Sequence, residues 1–248
     1  MDIRTYLEQH APLVFDGAMG TYFAARRGHS AEIPCEQANL DSPAEILAIH
    51  REYLQAGCRA IKTNTFSAGA FLAQGEEERC RAVIEAGCRL ALEAAEPYQA
   101  FVFADIGPAW HGENLSPARI YERQVDLFLE MGLRHFLAET LPGDEGVEHL
   151  AAYLKQRCPD AFLLVSFAVQ PDGATRDGHI GQALYTRTAA LPQVDSVGFN
   201  CVSGPHHLLE YIKRLERSDK PLCVMPNAGY PTVLGRRTVY QGLPDYFA

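Results

Sequence analysis

Short apolar runs alternate along this chain with longer stretches in which apolar residues return every three or four positions. Apolar runs bounded by Gly, Pro or Asn predict strands, and the longer period predicts helices with one buried stripe. Leu13 to Phe15 predicts a first strand that stops at Asp16-Gly17. Ser42-Pro43 predicts a helix start, with Ser42 as N-cap and Pro43 in the first turn, and the stripe Ile46, Ile49, Tyr53, Leu54 runs to a stop at Gly57. Further strands are expected at 60–66, 100–106, 135–140, 161–167, 196–201 and 222–227. Helices are expected at 76–96, 117–131, 145–157, 182–190 and 205–217.

Seven such strand–helix beats, with strands apolar on both faces, imply a parallel α/β sheet covered on both sides. Two architectures fit: a doubly wound open sheet and a (β/α)8 TIM barrel. No GxGxxG follows the first strand, which weakens the nucleotide-binding open sheet. Polar residues stand at nearly every strand's C-terminal end: Asp16, Asn64, Asp105, Glu139, Ser166, Asn200 with Cys201, and Asn227. A barrel gathers those ends around one mouth, where barrel enzymes carry their chemistry, so the barrel is the expected fold. The Gly- and Arg-rich stretch from Ala228 to Gly242 reads as an irregular active-site loop and a poor strand former.

Composition narrows the function. The 248 residues are 47% hydrophobic, which suits one domain over 1–248 with a large core. A net charge of −9 without a basic block argues against nucleic acid and anionic membranes. No apolar run reaches the roughly 18 residues of a spanning helix, and no signal-peptide pattern opens the chain. Seven cysteines at scattered spacings, with no CxxC pair, suit a reducing cytoplasm. Of these, Cys35, Cys58, Cys80 and Cys88 fall in a loop and helices and read as packing residues.

The strand ends carry motifs in a fixed order: Asp16-Gly17-Ala18-Met19-Gly20-Thr21, Thr63-Asn64-Thr65-Phe66, Ile106-Gly107-Pro108, Glu139-Thr140, Gly198-Phe199-Asn200-Cys201 and Pro226-Asn227-Ala228-Gly229. Together they resemble the homocysteine S-methyltransferase family, the homocysteine-binding barrel of S-methylmethionine-, betaine- and cobalamin-dependent methyltransferases. The resemblance implies methyl transfer from an activated donor to the thiol of homocysteine, giving methionine. It also implies zinc, with Cys201 as first ligand. The family closes its eighth strand on a Gly-Gly-Cys-Cys motif, and no two cysteines are adjacent here. The chain therefore reads as a barrel cut after its seventh strand, with an incomplete zinc site. Pro244 to Phe247 would begin the next helix. The open strand edges would pair with a second copy, which is the favoured outcome, or be filled by the 228–242 loop, or leave the chain soft and aggregation-prone. Further domains could lie beyond residue 248.

Within that frame Asn227 offers a side-chain oxygen to the metal, or merely caps its strand. Cys223, four residues back on the same face, lies too deep to share it. Asp16 and Glu139, two carboxylates at one mouth, suit the homocysteine ammonium; the plainer readings are a turn cap and an Arg pair. The backbone amides of Gly17, Ala18 and Met19 suit its carboxylate. Asn64, Thr65, Thr140, Ser166 and Asn200 shape the pocket by hydrogen bonding, or only cap strands. Lys62 shares a face with Asn64 and leaves a second reading open, a Schiff-base lyase on the same barrel. A third is a metal-free fragment without catalysis. His206 and His207 begin a helix and read as solvated. The methyl donor stays open: a free-standing barrel suits a sulfonium, and a folate or corrinoid donor needs further modules.

Overall fold

A computed structural model describes residues 2–27, 35–109, 115–234, 237–240, 242, 243, 245 and 247. Helix α1 (Ile3–His10) forms because the Asp2 carboxylate accepts the backbone N–H groups of Arg4 and Thr5. After α2 (Met19–Arg27) and α3 (Ala38–Asp41), α4 (Pro43–Gln55) opens with Pro43 in its first turn. Ser42 makes no side-chain capping bond; its hydroxyl accepts from Arg27 instead. Strand and helix then alternate: β1 (Ala60–Lys62), α5 (Ala68–Ala73), α6 (Glu77–Ala95), β2 (Phe101–Ile106), α7 (Pro117–Glu130), β3 (His135–Leu141), α8 (Val147–Arg157), β4 (Phe162–Phe167), α9 (Gly181–Ala189), β5 (Ser196–Asn200), α10 (Pro205–Lys213) and β6 (Leu222–Met225).

The six strands pair in sequence order, every pair parallel, in a half-barrel of the α/β class. The period-two alternation divides the core. Ile61, Val102, Ala104, Phe136, Ala138, Leu163, Val165, Val197 and Phe199 join the helices in the outer apolar layer. Ala60, Phe103, Leu137, Phe162, Leu164 and Cys223 form the inner one. Continuing that inner period toward the strand ends brings Lys62, Asp105, Glu139, Ser166 and Asn200 to the same side. Helix α1 belongs with this inner layer, with Ile3 buried in it. Arg4 Nη2 reaches Asp195 Oδ1 at 2.7 Å, and the other oxygen takes Lys155 Nζ at 2.9 Å and the Leu163 N–H at 2.8 Å.

Three expectations need correction. The first strand reduces to one bridge, Phe15 to Ala60; three residues are too few to hold a ladder of their own. The 228–242 stretch is no irregular loop, because Pro231–Leu234 (β7) and Arg237–Tyr240 (β8) form an antiparallel hairpin as a separate sheet. The last long helix stops at Lys213, four residues short of the expected end. In the turn expected over 244–247, residues 244 and 246 lie outside the described ones. The hairpin does not extend the main sheet, and among the described residues β6 has no strand on its far side.

Candidate functional site

A cavity of about 980 Å³ opens at the C-terminal ends of the strands. It brings together Asp16, Gly17, Ala18, Lys62, Asn64, Asp105, Glu139, Thr140, Asn200, Cys201 and Asn227, all singled out in the sequence, and adds Cys35 and Glu36. Residues of the hairpin region also reach it, through Ala228 and Tyr240. Ser166 is not on its wall. Fully buried, it donates to Asn200 Oδ1 at 2.8 Å and so acts from behind. Thr65 is likewise buried, donating to the Asp105 carbonyl at 2.8 Å.

Charge concentrates at Lys62. Its ammonium lies 3.8 Å from Asp16 Oδ1 and 3.8 Å from Glu139 Oε2. Asp16 Oδ2 also accepts the backbone N–H of Lys62 at 3.1 Å, so the turn after Phe15 is pinned to β1. Burial pushes the Asp16 carboxyl up to about 6, against the pull of Lys62. Burial alone would push the Lys62 ammonium down; Glu139, Asp16 and Asp105 outweigh it and hold the proton on, above the ordinary lysine range. Asp105 is raised well above the carboxylate range by burial and then by Glu139. Asp16 Oδ1 and Asp105 Oδ1 are buried without a hydrogen-bond partner.

Asn200 ties the rim together. Its Oδ1 accepts the Thr140 N–H at 2.9 Å as well as the Ser166 hydroxyl. Its Nδ2 donates to Thr140 Oγ1 at 2.8 Å, Glu139 Oε2 at 3.3 Å and Cys201 Sγ at 3.3 Å. The β3–β4 register shifts between Ala138 and Leu141, and Thr140 in that bulge has φ +59°. Cys201 and Val202 follow β5 at φ +59° and +57°. Left-handed backbone at three residues with a Cβ costs about 1–3 kcal/mol each, and it persists because the Asn200 bonds, and the Cys201 N–H to the Met225 carbonyl at 2.9 Å, over-determine it.

Gly17 has a steric reason. A Cβ there would stand 2.7 Å from the Tyr53 hydroxyl, which donates to the Ala18 carbonyl at 3.0 Å. Asn64 donates to the Cys35 carbonyl at 2.8 Å and to Asn39 Oδ1 at 2.8 Å, and accepts the Cys35 thiol at 3.0 Å. Cys35 is therefore a residue of the cavity wall, not one of remote packing; a loop thiol with its partner 29 residues away carried no local signal. Asn227 holds the rim through its N–H to the Ser203 carbonyl at 3.0 Å. His206 and His207 are exposed as expected, although Tyr230 contacts His207 Nδ1 at 2.7 Å.

The donor set does not fit a closed zinc site, which needs about four ligands. Cys201 is the thiol at the β5 end, burial and then Glu139 raise its pKa, and Cys223 lies among inner apolar side chains. Among the described residues no group of three or more His, Cys, Asp or Glu is placed to hold a metal.

A sequence model described as homocysteine S-methyltransferase matches residues 13–248. The methionine synthase of Mycobacterium tuberculosis is 29% identical over 276 residues, which cover 100% of this chain and 22% of that protein. The S-methylmethionine–homocysteine S-methyltransferase BHMT2 of Pongo abelii is 24% identical, over 85% of this chain and 57% of its own length. The chain thus spans about a fifth of the former and little more than half of the latter. Among solved structures, the metallated form of the homocysteine methyltransferase MmuM from Escherichia coli is 25% identical with a TM-score of 0.74, covering 92% of this chain and 87% of that one.

Proposed function

The chain belongs to the homocysteine S-methyltransferase family, and on that premise we propose that its cavity binds homocysteine for methyl transfer to the thiol, giving methionine. The observation that carries this reading is the single cavity that gathers Asp16, Glu139, Thr140, Asn200, Cys201 and Asn227. In it Glu139 and Asp16 face the substrate ammonium, and the amides of Gly17 and Ala18 lie on the same wall as donors for the carboxylate. Thr140, Asn200, Ser166 and Asn64 hold these groups in place. Cys201 and Asn227, at the ends of β5 and β6, flank the position of the reacting sulfur. The thiol must lose its proton and its sulfur must meet the methyl carbon in line, so positioning supplies much of the rate. A sulfonium is the donor that asks least of further domains. A cytoplasmic setting agrees with this chemistry, and among the described residues no helix is long and apolar enough to cross a membrane.

The Schiff-base reading of Lys62 is weaker. That chemistry needs a free amine, and the carboxylates around Lys62 hold its proton on.

Two measurements test the proposal. Glu139→Gln keeps the shape of the site and removes one charge, so homocysteine affinity by calorimetry should fall about ten- to a hundredfold, the worth of a hydrogen bond to a charged group. Unchanged affinity would take Glu139 out of the site. Zinc is the ion the resemblance implies, and Cys201 supplies one thiolate toward it. The 248-residue chain should therefore retain no stoichiometric zinc in equilibrium dialysis at sub-micromolar free metal. One zinc held per chain under those conditions would mean a different donor set.

A further inference from the structure

The Asp16–Lys62–Glu139 cluster leaves bonding capacity unspent. Both ion pairs measure 3.8 Å, beyond hydrogen-bond length, so the three N–H donors of the ammonium are not consumed by them. Asp16 Oδ1 and Asp105 Oδ1 are buried without a hydrogen-bond partner. The lysine side chain is 14% exposed, and what it meets is the cavity. Among the described residues that line the cavity, Lys62 is the one cation. Its backbone N–H is bound to Asp16 Oδ2, which holds that carboxylate beside the base of the lysine side chain.

A ligand carrying only a positive charge meets Lys62 there, and one carrying only a negative charge meets Asp16 and Glu139. An amino acid carries both charges on one carbon, compact enough to lie across the Lys62–Glu139 pair with opposite signs facing. We propose that Lys62 is a specificity-determining residue: its ammonium receives the α-carboxylate of an amino-acid ligand whose α-ammonium Glu139 takes, so that the cavity selects a zwitterion. This rests on the amino-acid reading of the cavity given above, and it names a charged partner for the carboxylate in addition to the amides of Gly17 and Ala18.

Titration calorimetry on the 248-residue chain tests it with three ligands: homocysteine, the aminothiol that lacks its carboxyl group, and the mercapto acid that lacks its amino group. Wild type should bind homocysteine about ten- to a hundredfold tighter than either. In Lys62→Met the preference over the aminothiol should shrink to the part the amides of Gly17 and Ala18 supply, while the preference over the mercapto acid stays. Lys62→Gln, which leaves a neutral donor between the carboxylates, should lose the same part of the preference over the aminothiol and covers the case in which the apolar variant does not fold. Equal binding of homocysteine and the aminothiol by wild type overturns the proposal without any variant. So does a folded Lys62 variant that keeps the full preference, which would leave the carboxylate to the backbone amides alone. Failure of wild type to bind any of the three sinks the amino-acid reading itself, and the role of Lys62 with it.

Discussion

Gly198→Ala is expected to leave little folded protein, with stability lower by about 3 kcal/mol or more, the upper end of overpacking costs. A Cβ at this position would stand 1.9 Å from the Cys223 carbonyl oxygen, 2.5 Å from its carbon and 2.7 Å from its Cα. These are backbone atoms of the paired strand, since Gly198 and Cys223 are register partners between β5 and β6. No flexible chain end can swing aside. Neither strand can retreat easily, because Val197 and Phe199 beside Gly198 are fully buried and β5 is also held by β4. Asn200 ends the same strand and Cys201 follows it directly, so the rim of the cavity should fail together with the sheet. Urea unfolding followed by circular dichroism reads this directly. A variant with the wild-type midpoint would mean that β5 and β6 lie farther apart than described.

The sheet was legible in the sequence because parallel strands covered on both faces must be apolar nearly throughout. That rule found β1 to β6 within a few residues. It overreached at Leu13 to Phe15, where an apolar run of three residues makes a single bridge. The hairpin was hidden for the opposite reason. Pro231 is costly inside a central strand but harmless as the first residue of a two-stranded ribbon, so Gly and Pro content misled there. At the site, strand-end position located Asp16, Glu139, Asn200, Cys201 and Asn227 on one cavity. It did not reveal which groups contact one another. Lys62 was visible as an inward lysine, but its partners Asp16 and Glu139 lie far off in the chain, and only the folded arrangement turns it from a possible nucleophile into a bound ammonium. Ser166 was located correctly on its strand, yet its hydroxyl serves Asn200 and not the cavity.

His50 should make this protein lose stability in mild acid, and His50→Leu should remove that loss. The side chain sits on the apolar stripe of α4, beside Ile46 and Ile49, and is fully buried. Neither Nδ1 nor Nε2 has a hydrogen-bond partner. Burial pushes its pKa from 6.5 down to about 4, so between those values the unfolded chain binds a proton that the folded one refuses. Stability is therefore complete above about pH 6.5 and falls as the pH drops toward 4. The relative loss is about 2 kcal/mol at pH 5 and about 3 kcal/mol near pH 4, taking 1.36 kcal/mol for each pKa unit. Asp16 works in the other direction. Its carboxyl is raised from 3.8 to about 6, so it favours the folded state at low pH and loses that contribution as the pH rises through about 6. The wild-type profile alone mixes the two effects, whereas Asp16 cancels in the difference between wild type and His50→Leu. Urea midpoints at pH 7.5, 6, 5 and 4.5 should give a gap that grows steadily toward acid. A gap that stays constant across the series would show that His50 titrates freely in the folded protein, and that the interior around α4 admits water.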